Sequence, residues 1–157
     1  MSIQEVLLGQ FPPEIRTTDG EVLFVEHAYK EQLRQFAEVN AIPAVKRVDI
    51  WGLLLEEFLD TVHDGEDREK TLRTLETCGI TRTEVKSIRE AVSGVMISYN
   101  FHSMLCDWFH LGLYDVLSGY SGILTGDKFT LPVQEYAAFY KSAMVIAGKG
   151  KLLSNGA

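Results

Sequence analysis

Five residues between positions 102 and 114 carry side chains capable of ligand or acid–base chemistry. They are His102, Cys106, Asp107, His110 and Tyr114. On one regular helix His102, Cys106 and His110 recur every fourth residue, which aligns two imidazoles and a thiol in a column. Successive members of the column lie about 6 Å apart along the axis, so all three cannot reach one metal ion. A transition-metal site would therefore need another ligand, such as His63 or Glu57, and we interpret the column as interior or rim side chains.

A second pattern on the same predicted helix pairs Asp107 with His110 and places Tyr114 one turn later. A carboxylate beside an imidazole fixes its tautomer and raises its pKa, which is the outline of an acid–base dyad. The same spacing arises wherever a helix solvates its polar side. The sequence therefore favours a polar seam that fixes helix packing or lines a small pocket, and it indicates no metal ion and no bound cofactor.

An acidic pattern, Glu56-Glu57-x-x-Asp60, precedes this segment. It resembles the first half of the signature of the all-helical nucleotide pyrophosphohydrolases, in which carboxylates on facing helices hold magnesium. The resemblance covers five residues, and no second E-x-x-D pair occurs within residues 68–115. We interpret these acids as the solvated end of a helix.

Aromatic residues are frequent in the second half of the chain and suggest an alternative, a tetrapyrrole pocket with His110 as axial ligand. They are Trp108, Phe109, Tyr114, Tyr120, Phe129, Tyr136, Phe139 and Tyr140. Packing of a helical core accounts for the same residues without a cofactor.

The composition limits the class of protein. A chain of 157 residues with 46% hydrophobic and 24% charged residues is expected to form a single globular domain. Its net charge of −7 has the wrong sign for binding nucleic acid or an anionic membrane. Residues 1–8 lack the basic start of a signal peptide, so we expect a cytoplasmic protein. The two cysteines, Cys78 and Cys106, have no metal-site or disulfide-framework spacing.

The hydrophobic pattern predicts an all-α fold, with about six helices in an irregular bundle around a hydrophobic central helix. Helices are expected over residues 49–61, 66–78, 82–118 and 132–148, followed by a flexible tail at 149–157. Thr81 and Glu84 form a predicted capping box at the start of the third of these. A helix over 82–118 would be about 55 Å long, so we expect a break at Gly94 or within 100–103. Residues 91–126 contain no Lys or Arg, which indicates a central position.

Two structures compete for residues 14–25, after an irregular N-terminal segment. In the first, Thr18 or Asp19 caps a helix that runs from near Glu21 to about Asn40. In the second, Asp19 and Gly20 close a β-hairpin. The apolar stripe favours the helix; its members are Val22, Val25, Tyr29, Leu33 and Phe36.

The leading functional hypothesis is a helical interaction or regulatory protein that binds another protein, most simply itself as a homodimer. Its basis is the surplus of apolar surface on the last helix and on residues 91–124. The alternative is a small-molecule, metal or tetrapyrrole-binding protein or enzyme that uses the polar seam as a pocket wall.

Overall fold

The computed structural model describes residues 1–59, 64–102 and 110–153. Contacts divide the chain into two compact units. Unit 1 contains Met1–Asp49 and the chain from Gly150 onward, and unit 2 contains Ile50–Lys149. That the chain is one domain stays a prediction.

Unit 1 contains a three-stranded antiparallel sheet, whose strands lie in the order of the chain. The strands are β1 (Ile3–Leu7), β2 (Glu14–Thr17) and β3 (Val22–Phe24). The turn between β2 and β3 contains Gly20 at φ +82°, a left-handed conformation that suits glycine. The Thr17 hydroxyl accepts a hydrogen bond from the Glu21 backbone amide at 3.1 Å and fixes this turn.

The favoured helix from Glu21 is therefore wrong, and the hairpin is correct for residues 14–24. The continuous apolar run that begins at Val22 pairs with β2, since Leu23 lies opposite Ile15 and Phe24 opposite Glu14. Helix begins later, with a 3-10 turn at His27–Tyr29 followed by helix α1 (Lys30–Val39). Tertiary pairing across the turn overrides the helical spacing of the apolar residues.

One face of the sheet and helix α1 enclose the small core of unit 1. Val6, Leu33 and Ala37 are buried there, and Ile15 and Ile42 pack against them. The free edge of β1 is extended by residues 43–45, because Val6 donates to the Pro43 carbonyl and accepts from the Val45 amide.

Unit 2 is helical in the part of it that the structure describes, and the sequence predicted most of its elements. Their bounds are α2 (Ile50–Leu55) with a 3-10 turn at Glu56–Phe58, α3 (Gly65–Thr77), α4 (Arg82–His102), α5 (Leu113–Tyr120) and α6 (Val133–Gly148). The capping box is confirmed, since the Glu84 carboxylate accepts from the Thr81 amide at 2.7 Å and the Thr81 hydroxyl accepts from the Glu84 amide at 3.2 Å. The chain as a whole is mostly helical, with the sheet as its one departure from an all-α fold in the described residues.

Helix α4 contacts α2, α3 and α5 and buries an apolar stripe. The stripe consists of Val85, Val92, Val95, Met96 and Tyr99. The helix passes Gly94 without a break, so that alternative is wrong, and by His110 the chain is no longer helical. Helix α2 also contributes to the core of unit 2, because Ile50, Trp51, Leu54 and Leu55 are all buried.

Two close contacts hold the later helices against this core. Gly119 on α5 faces Val95 so closely that an added Cβ would lie 2.8 Å from the Val95 Cγ2 atom. Trp51 on α2 donates from Nε1 to the Ala143 carbonyl on α6 at 3.0 Å. Within the described ranges no helix has the length and apolarity needed to cross a membrane.

Candidate functional site

Tyr99, His110 and Asp115 form a polar cluster beside the apolar contact between α4 and α5; we call them the Tyr–His–Asp cluster. The Asp115 carboxylate accepts a hydrogen bond from the Gly112 amide at 2.8 Å. It is also hydrogen-bonded to the Tyr99 side chain and attracted by the charge of His110. A carboxyl, a phenol and an imidazole thus lie together in one partly buried place.

The local sequence explains how the cluster forms. Tyr99 lies on the buried stripe of α4, and Asp115 occupies the first turn of α5. An acid in a first turn caps the orphan backbone amides and complements the helix dipole, which accounts for its bond to Gly112. His110 lies three residues before α5 and is partly buried.

The surroundings of Asp115 favour the protonated form of its carboxyl group. Burial raises the pKa of Asp115 above its usual range, and this effect exceeds the lowering caused by the Gly112 amide, the Tyr99 side chain and His110. A carboxyl with a raised pKa keeps its proton to a higher pH than an exposed aspartate, and here it lies beside an imidazole and a phenol.

The structure separates the residues that the sequence placed in one seam. His102 is exposed at the end of α4, where its Nδ1 donates to the Ser98 carbonyl at 2.8 Å and its ring contacts Phe101 edge-on. Tyr114 is exposed on α5. His110 is in the cluster, whereas Cys106 and Asp107 lie outside the described residues.

The predicted column and dyad both assumed unbroken helix from 102 to 114. His110 is not helical, so the fourfold spacing that aligned it with His102 is wrong. Among the described residues, Asp115, five residues later, is an acid on which the charge of His110 acts. The pairing of His110 with Asp107 stays a prediction, because Asp107 lies outside the described residues. Only tertiary packing of α5 on α4 brings Tyr99 to the Asp115 carboxylate, and no local spacing in the sequence signals it.

The other predicted groups have structural contacts. Glu57 forms an ion pair with Arg89 at 3.1 Å, and Asp60 and His63 lie outside the described residues. Phe139 contacts both Tyr120 and Trp51, with ring centroids 4.5 and 6.4 Å away, so it fills a helix contact. Among the described residues no three His, Cys, Asp or Glu side chains are grouped to hold a metal ion.

The sheet of unit 1 carries a buried polar face that none of the sequence motifs indicated. Glu5 and Arg47 form a two-point ion pair at 2.8 and 3.0 Å. Glu14 pairs with Arg16, which lies opposite Glu5 in the sheet register. The alternation of apolar and charged residues in β1 and β2 could have indicated this face. Val6 and Ile15 face the α1 side of the sheet, and the charged residues face the opposite side.

An acid completes this polar face. The side-chain amide group of Gln10 lies 3.1 and 3.3 Å from the two carboxylate oxygens of Asp49. Burial raises the pKa of Glu14 more than Arg16 lowers it, and the charge of Asp49 adds to the increase. Three acids and two arginines therefore share this side of unit 1.

A surface groove of about 440 Å³ lies along α4 in unit 2. Three cations line it, Arg82, Lys86 and Arg89. Each already has a carboxylate partner: they pair with Glu69, Glu90 and Glu57, respectively. Hydrogen bonds from Arg82 and Arg73 lower the pKa of Glu69 to about 2. Because its charges are neutralised within the chain, the groove presents no surplus of positive charge to an anionic ligand.

Comparison with known proteins adds no assignment to this geometry. No family model, curated protein or solved structure matches the chain.

Proposed function

We propose that the chain is an interaction protein that works as a homo-oligomer, most simply a homodimer, through apolar faces of unit 2. The observation that carries the proposal is the exposure of large apolar side chains on two helices. On α4, Ile97 is 61% exposed and Phe101 is 72% exposed. On α6, Val133 is 86% exposed and Val145 is 68% exposed.

The position of these residues supports an interface. Ile97 and Phe101 are one turn apart, so they lie on the same side of α4. Both α4 and α6 have buried residues that already pack in the core, and Ile97, Phe101 and Val145 lie on the opposite sides of their helices. Apolar side chains in excess of the core mark surfaces that gain free energy when a partner covers them.

The test is the mass of the full-length chain in solution. Sedimentation velocity and light scattering from about 1 to about 100 µM should show a concentration-dependent rise from monomer to dimer, as mass action requires. A monomer over the whole range overturns the homo-oligomer. The paired substitution Ile97→Ser and Phe101→Ser then tests the α4 side, with Ser98→Ala as a matched change of small effect on the same helix.

The second candidate function is binding of a small polar molecule at the Tyr–His–Asp cluster. The observation that favours it is the raised pKa of Asp115 between an imidazole and a phenol, which supplies a proton donor and acceptor in one place. A thermal-shift screen with small carboxylic acids, amines and nucleosides should identify a compound that raises the Tm of the wild type and fails to raise that of Asp115→Asn. A lower Tm in His110→Ala, with all compound shifts retained, would assign the cluster to helix packing alone.

A further inference from the structure

We infer that the interface is formed by helix α6, which packs antiparallel against α6 of a second copy with Ala138 at the crossing point. This inference deepens the proposed function and rests on it. Its basis is an exposed stripe on α6 and the placement of the two charged residues of that helix.

The stripe lies opposite the residues that anchor α6. Ala143 and Ala147 are buried on the inner side, together with the Ala143 carbonyl that binds Trp51. On the outer side, exposed residues recur at intervals of four, three and four. They are Gln134, Ala138, Lys141 and Val145, which we call the outer stripe. The same spacing occurs along the seam of paired helices, and two of its four positions here, Ala138 and Val145, are apolar.

The centre of the outer stripe is small, which permits two helices to approach closely. Ala138 has exposed Ala137 beside it and exposed Ser142 one turn later. Small side chains at a crossing allow axes at the short end of the usual range of about 8 to 10 Å. A large side chain at Ala138 would hold the axes apart.

The charges identify a second copy as the occupant and set its direction. Glu135 and Lys141 are the only charged residues of α6, and both are exposed. Each lies three residues from Ala138, or about 4.5 Å along the axis on opposite sides. An antiparallel twofold pair centred at Ala138 therefore brings each Glu135 level with Lys141 of the second copy, twice per dimer. A parallel pair would place like charges level with each other.

Neither charge has a competing ion pair with another residue in the described part of its own chain. Within the described ranges, the salt bridges involve other residues than Glu135 and Lys141. This distinguishes them from the groove cations Arg82, Lys86 and Arg89. The self-complementary pattern fits a second α6 better than a partner of unrelated charge.

Charge reversal tests this arrangement in the full-length chain. Glu135→Lys alone and Lys141→Glu alone each create two like-charge contacts per dimer, and we expect each to raise the dimer Kd about 10-fold or more. The double variant Glu135→Lys, Lys141→Glu restores both pairs by symmetry, and its Kd should return to within about 3-fold of the wild type. Lys70→Glu, a charge change of equal size at an exposed position of α3, is the matched control and should leave the Kd unchanged.

A neutral variant tests the crossing point without any change of charge. Ala138→Gln keeps good helix propensity and enlarges the side chain, so it should weaken the dimer about 10-fold or more while far-UV circular dichroism stays the same. If the dimer Kd is unchanged by Ala138→Gln and by both single charge reversals, the α6 interface is overturned. The proposed homodimer would remain, with the α4 residues Ile97 and Phe101 as its surface. A monomer at every concentration would overturn both.

Discussion

Arg47 holds the buried carboxylate of Glu5 in a two-point ion pair that joins strand β1 to the segment after α1. The guanidinium uses Nε and Nη2 for the two carboxylate oxygens, and Nη1 donates to the Gly150 carbonyl at 3.2 Å. One side chain thereby connects three parts of unit 1 that are distant in sequence. The pair stabilises the unit chiefly because its removal would leave a buried charge.

Removal of Arg47 alone should therefore lower the free energy of unfolding more than removal of both Arg47 and Glu5. Arg47→Met leaves the carboxylate of Glu5, a residue only 8% exposed, without its ion-pair partner, and we expect a destabilisation of about 3 kcal/mol. The double variant Glu5→Gln, Arg47→Met should be more stable than Arg47→Met alone. Urea unfolding followed by circular dichroism measures both values.

The matched control for this prediction is Arg34→Met on the exposed face of α1, where Arg34 pairs with Glu31 and Glu38. An exposed pair of this kind contributes little, so its urea midpoint should scarcely move. Equal losses for Arg47→Met and Arg34→Met would contradict the role assigned to Arg47.

Glu14 should give unit 1 a specific pH dependence. Burial raises the pKa of Glu14 in the folded chain, so folding takes up a proton. This contribution is complete below the pKa of an unfolded glutamate, about 4.3, and is lost as the pH rises through the higher folded pKa. The unfolding free energy of the wild type, relative to Glu14→Gln, should therefore increase as the pH falls from about 7 to about 4.

Two charged groups act on the pKa of Glu14 in opposite directions, so the sign of the pH dependence shows which effect is larger. Arg16 favours the carboxylate, whereas Asp49 opposes it. A relative stability that decreases as the pH falls would mean that the ion pair with Arg16 outweighs burial. Urea unfolding of both proteins at several pH values gives the slope directly.

Gly119 should tolerate no side chain. Gly119→Ala places a methyl group 2.8 Å from the Val95 Cγ2 atom, and both helices have buried partners that restrict their movement. We expect a loss of about 1 to 3 kcal/mol and a Tm lower by several degrees. Gly65→Ala at the start of α3 has nothing within 4 Å of the new methyl group and should keep the wild-type Tm.

The sequence predicted those elements whose signals are local. Asp64 accepts hydrogen bonds from the Glu66 and Asp67 amides, and Thr81 with Glu84 closes the next helix start, so both helix beginnings follow from adjacent residues. The helix proposed from Glu21 failed because strand pairing is a non-local interaction that outweighs a helical spacing of apolar residues. Antiparallel partners of Val22 and Leu23 lie six and eight positions away, beyond any periodic pattern.

The candidate site shows the same limit. The residue type of His110 indicates a site, but a helical spacing predicts Asp107 as its acidic partner. His110 itself is not helical, and the packing of α5 against α4 brings Asp115 and Tyr99 together. Residue type therefore indicated His110, one member of the Tyr–His–Asp cluster. The other two, Tyr99 and Asp115, join it through tertiary packing.

Arg89 has a consequence for the order in which unit 2 assembles. From α4 it donates to the carbonyls of Leu53 and Leu54 at 3.2 and 2.9 Å, at the end of α2. A helix end normally finds such donors among its own next residues or in water. Here the donor arrives from a segment 35 positions later in the chain. We expect the final turn of α2 to become ordered only after α4 has docked, so the first helix of unit 2 in the chain is completed late in folding.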